Sequence, residues 1–360
     1  MAPAVRFGVV GSGWRAEFFL RLARLLPDEI ELVGIAVRRP EVAAHLHEAY
    51  GVPTYLAPGE LLAQARPDVV ITSVPWDVTP GLIVDLVEGG VRVLAETPPA
   101  PDAEGLHALW AAVGASGMVQ VAEQYPRLPP HAARAEVVRS GVIGEPTQVQ
   151  LSSTHTYHAI ALMRWFLGVG FAPVRVGAQH LHGPLVDPMT KAGWTHDDVP
   201  KPATTTIATL DFGDKSGVYD FTDNQWHNQL RHRRMVIRGS HGEIKDDEVI
   251  RLVGPEAIVS SRIERRQLGY DLNLDGYDTE HFSIDGRVVW HNPYLGRRLM
   301  DEDIAITSLL SATARWAVGD AAGPYPLAEG CHDHLLGLAI DEAAATGRLV
   351  DVADTPWATD

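Results

Sequence analysis

Residues 5–16 read VRFGVVGSGWRA, an apolar run that passes into a glycine-rich turn and then into a helical pattern. The run Val5–Val10 predicts a buried strand, and Gly11 permits a tight turn after it. Gly13 lets the backbone approach a pyrophosphate, and the helix N-terminus then faces the phosphates. Because further β-α steps follow, the pattern predicts a dinucleotide site at Gly11, Ser12, Gly13, Trp14 and Arg15.

Outward from this turn, the first 124 residues alternate apolar runs with helical patterns. The predicted strands after the first are Ile30–Val37, Asp68–Val74, Val91–Ala95 and Met118–Ala122, and the predicted helices are Ala16–Leu26, Glu41–Tyr50, Pro80–Glu88 and Asp102–Ala115. Repeating units of this length are typical of a parallel, doubly wound sheet that binds ligands outside the carboxyl ends of its strands. We therefore expect a Rossmann domain over residues 1–124.

After Gln124 the pattern changes. The proline-rich stretch 125–130 leads into a predicted helix that ends near Ser140–Gly141. Short β-type runs separated by turn-forming residues follow, and helical patterns return at Asp301–Val318 and Leu327–Thr346. Such runs favour a largely antiparallel sheet. The expected fold class is thus α/β, with an α+β substrate-binding and oligomerisation domain over 125–360 that has a large open, mostly antiparallel sheet. The segment Gly183–Pro202 lacks a period and is expected to be a long loop.

Composition excludes several classes of protein. The formal net charge is −16, which disfavours nucleic acid as a partner. No apolar run approaches the ~20 residues that cross a bilayer, so no membrane partner is expected. The amino terminus lacks the pattern of a secretory signal, and the single cysteine forms no internal disulfide. These features together predict a cytoplasmic location.

The end of the second predicted strand bears on the choice of cofactor. A carboxylate at this point would hold the adenosine ribose hydroxyls, but the chain has Val37 there, followed by Arg38 and Arg39. Valine accepts no hydrogen bond, whereas either arginine can pair with a 2′-phosphate. The sequence therefore predicts NAD(P) as the cofactor and favours NADP(H) over NAD(H).

Several motifs fall in a recognisable order along the chain. The glycine turn is followed by ITSVP (71–75), AETPP (95–99), SGVIGEP (140–146) and HAIALMRWFLG (158–168). In these stretches the sequence resembles the Gfo/Idh/MocA oxidoreductase family, which includes glucose–fructose oxidoreductase and inositol dehydrogenase. The resemblance implies a Rossmann domain, a second α/β domain, and a homo-oligomer, either a dimer or a tetramer. It also implies oxidation or reduction of a secondary hydroxyl of a sugar or cyclitol.

The resemblance also implies roles for particular residues. His158 takes the position of the catalytic acid/base, and an imidazole that titrates near ~6.5 suits proton exchange with a hydroxyl. Val74 and Pro75 lie where the family borders the nicotinamide. Glu96 and Thr97 lie at the family's Glu-Lys-Pro motif, and both are expected to contact the cofactor.

The sequence departs from the family pattern at three positions. Thr97 replaces the lysine of Glu-Lys-Pro, Thr154 replaces an aspartate, and Thr79 replaces a histidine. Thr97 can still form hydrogen bonds, but it supplies no positive charge to a developing alkoxide. We nevertheless expect Thr97 to orient the substrate, and Thr154 to lie beside it.

Polar residues near these positions complete the candidate site. His155 and Tyr157 flank His158 as further catalytic or substrate-binding candidates, although each alone is also typical of a hydrogen-bonded structural residue. Tyr125 and Glu123 follow the last Rossmann strand and are candidate substrate contacts, with local pairing of Glu123 as the alternative. Histidine pairs occur elsewhere, but no aspartate or cysteine completes a ligand set, so no metal is expected.

Three hypotheses for the function remain open at this point. The first is an NAD(P)-dependent dehydrogenase or reductase for a sugar, glycoside or cyclitol. The second is a redox-neutral enzyme that cleaves or epimerises a glycoside by transient oxidation, elimination and return of the hydride. The third is a non-catalytic dinucleotide-binding sensor or structural partner.

Overall fold

The computed structural model describes residues 4–273 and 276–358. By the contacts between its residues, the chain divides into two units. The first comprises the described residues of Met1–Leu128 with Leu299–His332, and the second comprises Pro129–Arg298 with Asp333–Ala358. Residues 299–332 thus join the first unit, whereas the sequence analysis placed them in the second domain.

The amino-terminal part of the first unit alternates strands and helices. The elements are β1 (Val5–Val10), α1 (Trp14–Ala23), β2 (Ile30–Ala36), α2 (Pro40–Tyr50), β3 (Thr54–Tyr55), α3 (Pro58–Ala65), β4 (Val69–Thr72), α4 (Thr79–Glu88), β5 (Arg92–Ala95), α5 (Ala103–Val113) and β6 (Val119–Val121). The six strands are parallel, in the order β3-β2-β1-β4-β5-β6. The order reverses between β1 and β4, and such a switch point is where doubly wound sheets bind ligands.

Burial explains why these runs form parallel strands. Every residue of β4 and β6 is buried, and so are five of the six residues of β1. A strand with both faces covered reads as a continuous apolar run, which is the pattern of a parallel sheet between two layers of helices. The predicted parallel Rossmann sheet is confirmed. Neither β3, which is one edge of this sheet, nor α3, which packs on β2 and β3, was predicted from the sequence.

The second unit is dominated by strands. Its elements up to residue 298 are α6 (Pro129–Arg139), β7 (Pro146–Ser152), α7 (Thr156–Leu167), β8 (Val174–Leu185), β9 (Met189–Thr190), β10 (Gly193–Trp194), β11 (Lys201–Asp211), β12 (Ser216–Thr222), β13 (Arg234–Gly239), β14 (Gly242–Lys245), β15 (Glu248–Gly254), β16 (Ala257–Arg262), β17 (Glu264–Leu268), β18 (Asp278–Ile284) and β19 (Arg287–His291). The chain continues with α8 (Asp301–Ala317) in the first unit, α9 (Leu327–Thr346), which contains the boundary, and β20 (Val350–Val352) in the second unit.

A nine-stranded sheet organises the second unit. Its order is β16-β15-β14-β13-β7-β12-β11-β8-β20, and every neighbouring pair in it is antiparallel except β12 with β7. A second, three-stranded antiparallel sheet has the order β17-β18-β19. The predicted large, mostly antiparallel sheet is therefore confirmed.

The predicted loop over 183–202 is partly wrong. β8 runs on to Leu185, and β11 begins at Lys201, which pairs with Leu185 across the two strands. Between them, β9 and β10 form a short antiparallel hairpin. Glycine and proline at 183–184 and 202 suggested a loop, but the long ladder between β8 and β11 extends through these residues.

The helix α8 belongs to the first unit because it packs on α1. Arg21 of α1 donates to Asp303 of α8 at 2.6 Å. The hydroxyl of Ser311 donates to Glu29, which precedes β2, at 2.5 Å. These polar contacts join segments more than 280 residues apart in sequence, which local patterns do not predict.

Candidate functional site

The glycine turn lies at the switch point of the Rossmann sheet. Gly11 has φ +128°, and a Cβ there would lie 2.0 Å from the carbonyl oxygen of Ser73, directly after β4. Only glycine fits this position without a backbone shift. A Cβ on Gly13, by contrast, would meet nothing within 4 Å. The chain itself therefore leaves open the space beside Gly13, as a cofactor pyrophosphate would require.

The residues around this turn differ in exposure. Trp14 opens α1 and is 53% exposed, with its ring edge-on to Phe18 at 5.6 Å between centroids. Ser12 is half-buried. Val74 and Pro75 follow β4, and the backbone N–H of Val78 donates to the Pro75 carbonyl at 2.9 Å. All these predicted residues lie at the carboxyl ends of β1 and β4, where nucleotides bind in such sheets.

Arg15 joins the glycine turn to the end of β5. Its guanidinium pairs through Nε with Glu96 and through Nη1 with Glu302 of α8, the latter at 2.7 Å. Burial alone would lower the pKa of the Arg15 guanidinium, but the charges of both carboxylates and their hydrogen bonds raise it above its ordinary value. Arg15, predicted as a cofactor contact, thus anchors two buried or half-buried carboxylates.

Glu96 fixes the turn that follows β5. Its Oε2 accepts a hydrogen bond from the backbone N–H of Thr97 at 3.0 Å, while its own N–H donates to the Thr72 carbonyl of β4 at 3.0 Å. The Thr97–Pro98 peptide bond is cis, as the sequence allowed. The Glu96 carboxylate is therefore held between Arg15 and the turn that carries Thr97.

Glu123 is buried directly after β6. It is 3% exposed, and its Oε1 accepts a hydrogen bond from the backbone N–H of Tyr125 at 2.9 Å. Burial raises the pKa of this carboxyl to about 8, although the hydrogen bond and the positive charge of Arg15 act in the opposite direction. The local pairing of Glu123 that the sequence left open is present, and the carboxyl holds a proton at neutral pH.

This buried carboxyl makes stability depend on pH. Between the unfolded pKa of about 4.3 and the folded pKa of about 8, the folded chain binds a proton that the unfolded chain has released. The free energy of unfolding therefore falls as pH rises through this window. Glu123→Gln, which cannot titrate, is expected to gain stability relative to the wild type from about pH 5 to about pH 8. Urea unfolding at both values measures this.

The control for this measurement is Glu104→Gln, at an exposed position in the first turn of α5. The free energy of unfolding of Glu104→Gln is expected to differ from that of the wild type by the same amount at every pH in this range. If the free energy of unfolding of Glu123→Gln differs from that of the wild type by the same amount at both pH values, this carboxyl is ionised in the folded chain.

In the second unit, three predicted residues form one cluster, which we call the histidine–tyrosine cluster: His155, Tyr157 and His158. His155 Nε2 and the Tyr157 hydroxyl lie 3.0 Å apart and share a hydrogen bond. The His158 ring lies 4.9 Å from that of His155 and 4.4 Å from that of Tyr157 between centroids. His158 is 4% exposed, so its imidazole is held by packing.

The turn between β7 and α7 builds this cluster. β7 ends at Ser152, His155 is the N-cap residue of α7, and the helix begins at Thr156. The motif quoted from the sequence, HAIALMRWFLG (158–168), therefore begins two residues after the start of this helix. Thr154 lies in the same turn and is 1% exposed.

The end of β2 has Val37 at the expected carboxylate position, followed by the two arginines that the sequence predicts as 2′-phosphate contacts. Val37 is 6% exposed, and its N–H donates to the Tyr55 carbonyl of β3 at 2.9 Å. Arg38 and Arg39 are both exposed.

Two aromatic side chains that the sequence did not predict contact the histidine–tyrosine cluster. Trp226, between β12 and β13, lies edge-to-face with His155 at 5.2 Å between ring centroids. His334 of α9 contacts Tyr157 with a centroid distance of 6.0 Å. Both lie far from residues 155–158 in sequence, and no motif marks either position. Only the folded sheet and helix bring them together.

Within residues 4–273 and 276–358, no group of three or more histidine, cysteine or acidic side chains is placed to hold a metal ion. Over the same part of the chain, no helix is both long enough and apolar enough to span a bilayer.

Comparison with known proteins agrees with the fold. Residues 5–124 match the family described as an oxidoreductase family with an NAD-binding Rossmann fold. No curated protein matches the sequence. Among solved structures, a myo-inositol dehydrogenase from Corynebacterium glutamicum is 20% identical with a TM-score of 0.68, covering 98% of this chain and 100% of that one.

Two further solved structures show the same fold. A levoglucosan dehydrogenase in complex with NADH and levoglucosan is 18% identical with a TM-score of 0.71, covering 98% of this chain and 100% of that one. An oxidoreductase from Agrobacterium radiobacter in complex with NAD+, L-tartaric acid and magnesium is 15% identical with a TM-score of 0.70, covering 96% and 98%. Residues 5–124, which contain the glycine turn and the doubly wound sheet, thus match the Gfo/Idh/MocA family of NAD-binding oxidoreductases, and over the whole chain the solved structures share the fold.

Proposed function

We propose that this enzyme oxidises or reduces a secondary hydroxyl or keto group of a sugar, glycoside or cyclitol, with His158 as the acid/base. The observation that carries the proposal is the histidine–tyrosine cluster, in which a buried imidazole packs against a hydrogen-bonded pair of a second imidazole and a phenol. Two proteins that share the fold are an inositol dehydrogenase and a levoglucosan dehydrogenase, and both support this substrate class.

The residues of the cluster suit the proton transfers of this reaction. His158 accepts the proton of the reacting hydroxyl during oxidation and returns it during reduction. The bond between His155 Nε2 and the Tyr157 hydroxyl orients both groups for hydrogen bonding to neighbouring hydroxyls. A bound nicotinamide supplies the acceptor or donor of the hydride.

In the first unit, Thr97 is proposed to orient the substrate through its hydroxyl. Glu96 holds the backbone of Thr97, and Arg15 holds Glu96, so the turn is fixed before any ligand binds. Preorganisation of this kind lets a polar group act without reorganising during the reaction. The Thr97 hydroxyl is proposed to donate or accept a hydrogen bond at the position that the resemblance assigns to the lysine of Glu-Lys-Pro, and Tyr125 is a second proposed substrate contact.

The proposed reaction is tested with purified protein and a panel of pyranoses, methyl glycosides and inositols. The expected result is formation of reduced nicotinamide with at least one member of the panel. The dinucleotide released on denaturing the protein identifies any cofactor that stays bound. If no member of the panel is changed and His158→Ala behaves as the wild type, the protein is a non-catalytic dinucleotide-binding sensor.

The hydrogen bond between His155 and Tyr157 favours a second candidate function. It adds a second proton-transferring pair beside His158, as a redox-neutral cleavage or epimerisation of a glycoside would need. In that reaction the sugar is oxidised, the glycosidic bond or a stereocentre changes, and the hydride returns. Glycoside cleavage that requires the dinucleotide but forms no net reduced nicotinamide would establish this second function.

The space beside Gly13 makes a specific prediction for cofactor binding. Gly13→Ala is expected to fold normally, because its Cβ meets no protein atom within 4 Å. It is expected to weaken NAD+ binding by about tenfold or more, since the methyl group takes the place of the pyrophosphate. Calorimetric titration with NAD+, together with the thermal unfolding midpoint, measures both effects.

Gly11→Ala is the comparison variant. Its Cβ would lie 2.0 Å from the Ser73 carbonyl oxygen, so this variant is expected to lose stability as well as binding. Unchanged NAD+ affinity in Gly13→Ala would contradict a pyrophosphate position at this turn.

We also propose that the cofactor preference is for NADP(H). Val37 offers no acceptor for ribose hydroxyls, while the exposed Arg38 can pair with a 2′-phosphate. Arg38→Ala is expected to raise the KM for NADP+ by about tenfold, the loss of a charge-assisted hydrogen bond. The KM for NAD+ is expected to stay the same.

The control for Arg38→Ala is Arg24→Ala. Arg24 is exposed and caps the carboxyl end of α1, away from the glycine turn at the other end of that helix. Steady-state kinetics with both cofactors compares the variants. Equal KM values for NADP+ in Arg38→Ala and the wild type would count against the preference.

A further inference from the structure

We propose that the indole ring of Trp226 is a stacking platform for a pyranose ring of the substrate, beside the histidine–tyrosine cluster. This inference rests on the proposed function and names a binding residue for it. Phe221 of β12 stacks on Trp226 with centroids 5.2 Å apart and an interplanar angle of 14°. His155 meets the same indole edge-to-face at 5.2 Å. Trp226 nevertheless remains 39% exposed.

The backbone beside Trp226 is held by a buried glutamine. Gln225 is 3% exposed, and its side-chain amide donates to the Ser152 carbonyl and to the His232 carbonyl, each at 3.0 Å. Its Oε1 accepts from the backbone N–H of Thr222 at 2.9 Å. Ser152 ends β7, three residues before His155, so this amide ties the Trp226 segment to the strand that leads into the cluster.

Two asparagines hold the rest of this segment. Asn224, with φ 58°, donates from Nδ2 to both carboxylate oxygens of Asp187 at 2.8 and 2.7 Å. Asn228 is fully buried and donates to the Val186 carbonyl at 2.9 Å. Arg233 donates to the carbonyl oxygen of Trp226 itself. The indole is therefore presented by a fixed backbone, and a ligand that stacks on it orders little of the chain on binding.

The chemistry of the surroundings selects a sugar ring. The face of an indole carries partial negative charge, which attracts the weakly polarised C–H groups on the face of a pyranose. The hydroxyls at the rim of the sugar need hydrogen-bonding groups, and the His155–Tyr157 pair supplies them next to the indole. Because Phe221 already covers part of the indole, the platform accepts a single ring.

The direct test uses protein labelled with 5-fluorotryptophan. The chain has nine tryptophans, and the fluorine resonance that is lost in Trp226→Phe belongs to Trp226. Glucose, galactose, mannose, their methyl glycosides, maltose, cellobiose and lactose are titrated separately. The expected result is a saturable shift of the Trp226 resonance with at least one of these sugars. A Trp226 resonance that moves with none of them would overturn the proposal.

Steady-state kinetics of Trp226 variants, with any sugar that the wild type turns over, distinguishes a loss of sugar binding from a loss of folded protein. Trp226→Leu is expected to raise KM by about tenfold, while Trp226→Phe retains most of the affinity because it keeps an aromatic face. Little change in kcat is expected, since the ring binds ground state and transition state alike. Equal KM values in Trp226→Leu and the wild type would overturn the proposal.

The matched control is Trp194→Leu, in the β9–β10 hairpin, where the tryptophan is 66% exposed. Its KM is expected to equal that of the wild type. If the proposed function is wrong, the wild type turns over no sugar. The fluorine titration needs no turnover, so it still decides whether Trp226 binds a sugar.

Discussion

Replacing His158 by alanine is expected to lower kcat by about 10²- to 10⁴-fold, the range that general acid–base catalysis contributes. The imidazole is 4% exposed and packs against the rings of His155 and Tyr157, so it is held in one position. Without it, the proposed acid/base for the reacting hydroxyl is lost. Steady-state turnover of the sugar found in the panel measures the loss, with KM recorded separately.

His182→Ala is the matched control for this variant. His182 is exposed on β8 in the same unit, and its Nδ1 lies 3.3 Å from the Thr204 hydroxyl. Its kcat is expected to equal that of the wild type. Full activity in His158→Ala, with the fold intact by circular dichroism, would remove His158 from the mechanism.

Asp333→Ala is expected to give the largest loss of stability, about 3–5 kcal/mol, because it leaves a buried guanidinium without its carboxylate. Arg164 of α7 donates to Asp333 of α9 at 2.5 Å, and both side chains are only 4% exposed. The same guanidinium donates to the Gly170 carbonyl at 3.0 and 2.8 Å, so it is fixed in place and cannot turn toward water. Urea unfolding of the variant and the wild type measures the difference.

The comparison variant breaks an exposed pair in the same unit. Asp351 of β20 accepts from Arg175 of β8 at 2.7 Å, with side chains 65% and 57% exposed. Water and salt screen such a pair, so Asp351→Ala is expected to leave the unfolding midpoint nearly unchanged. Equal effects of the two variants would show that burial does not strengthen the Arg164–Asp333 pair.

Much of the first unit could be predicted from sequence because its signals are local. A parallel strand covered on both faces is a continuous apolar run, so β1, β2, β4, β5 and β6 were all predicted. The helix α3 was not predicted because it is only eight residues long and begins at a proline. The place of α8 was missed because it depends on contacts of Arg21 and Glu29 with distant residues.

The candidate site divides in the same way. The positions of His155, Tyr157 and His158 follow from one short turn, so a local motif could find them. Other contacts depend on how strands and helices pack, namely the pairing of Arg15 with Glu302 and the contact of Trp226 with His155. The spacing of these residues along the chain does not indicate that they meet. Sequence also identified Glu123 as polar and near the site, but only its burial explains why it holds a proton.

The amount of reduced nicotinamide formed for each sugar consumed decides whether the protein is a net dehydrogenase. Wild-type protein, NADP+ or NAD+, and the sugar selected from the panel are incubated, and both products are quantified in the same sample. Equal amounts of reduced nicotinamide and oxidised sugar are expected, with both lost in His158→Ala. Sugar consumed without net reduced nicotinamide, or no sugar consumed at all, would contradict it.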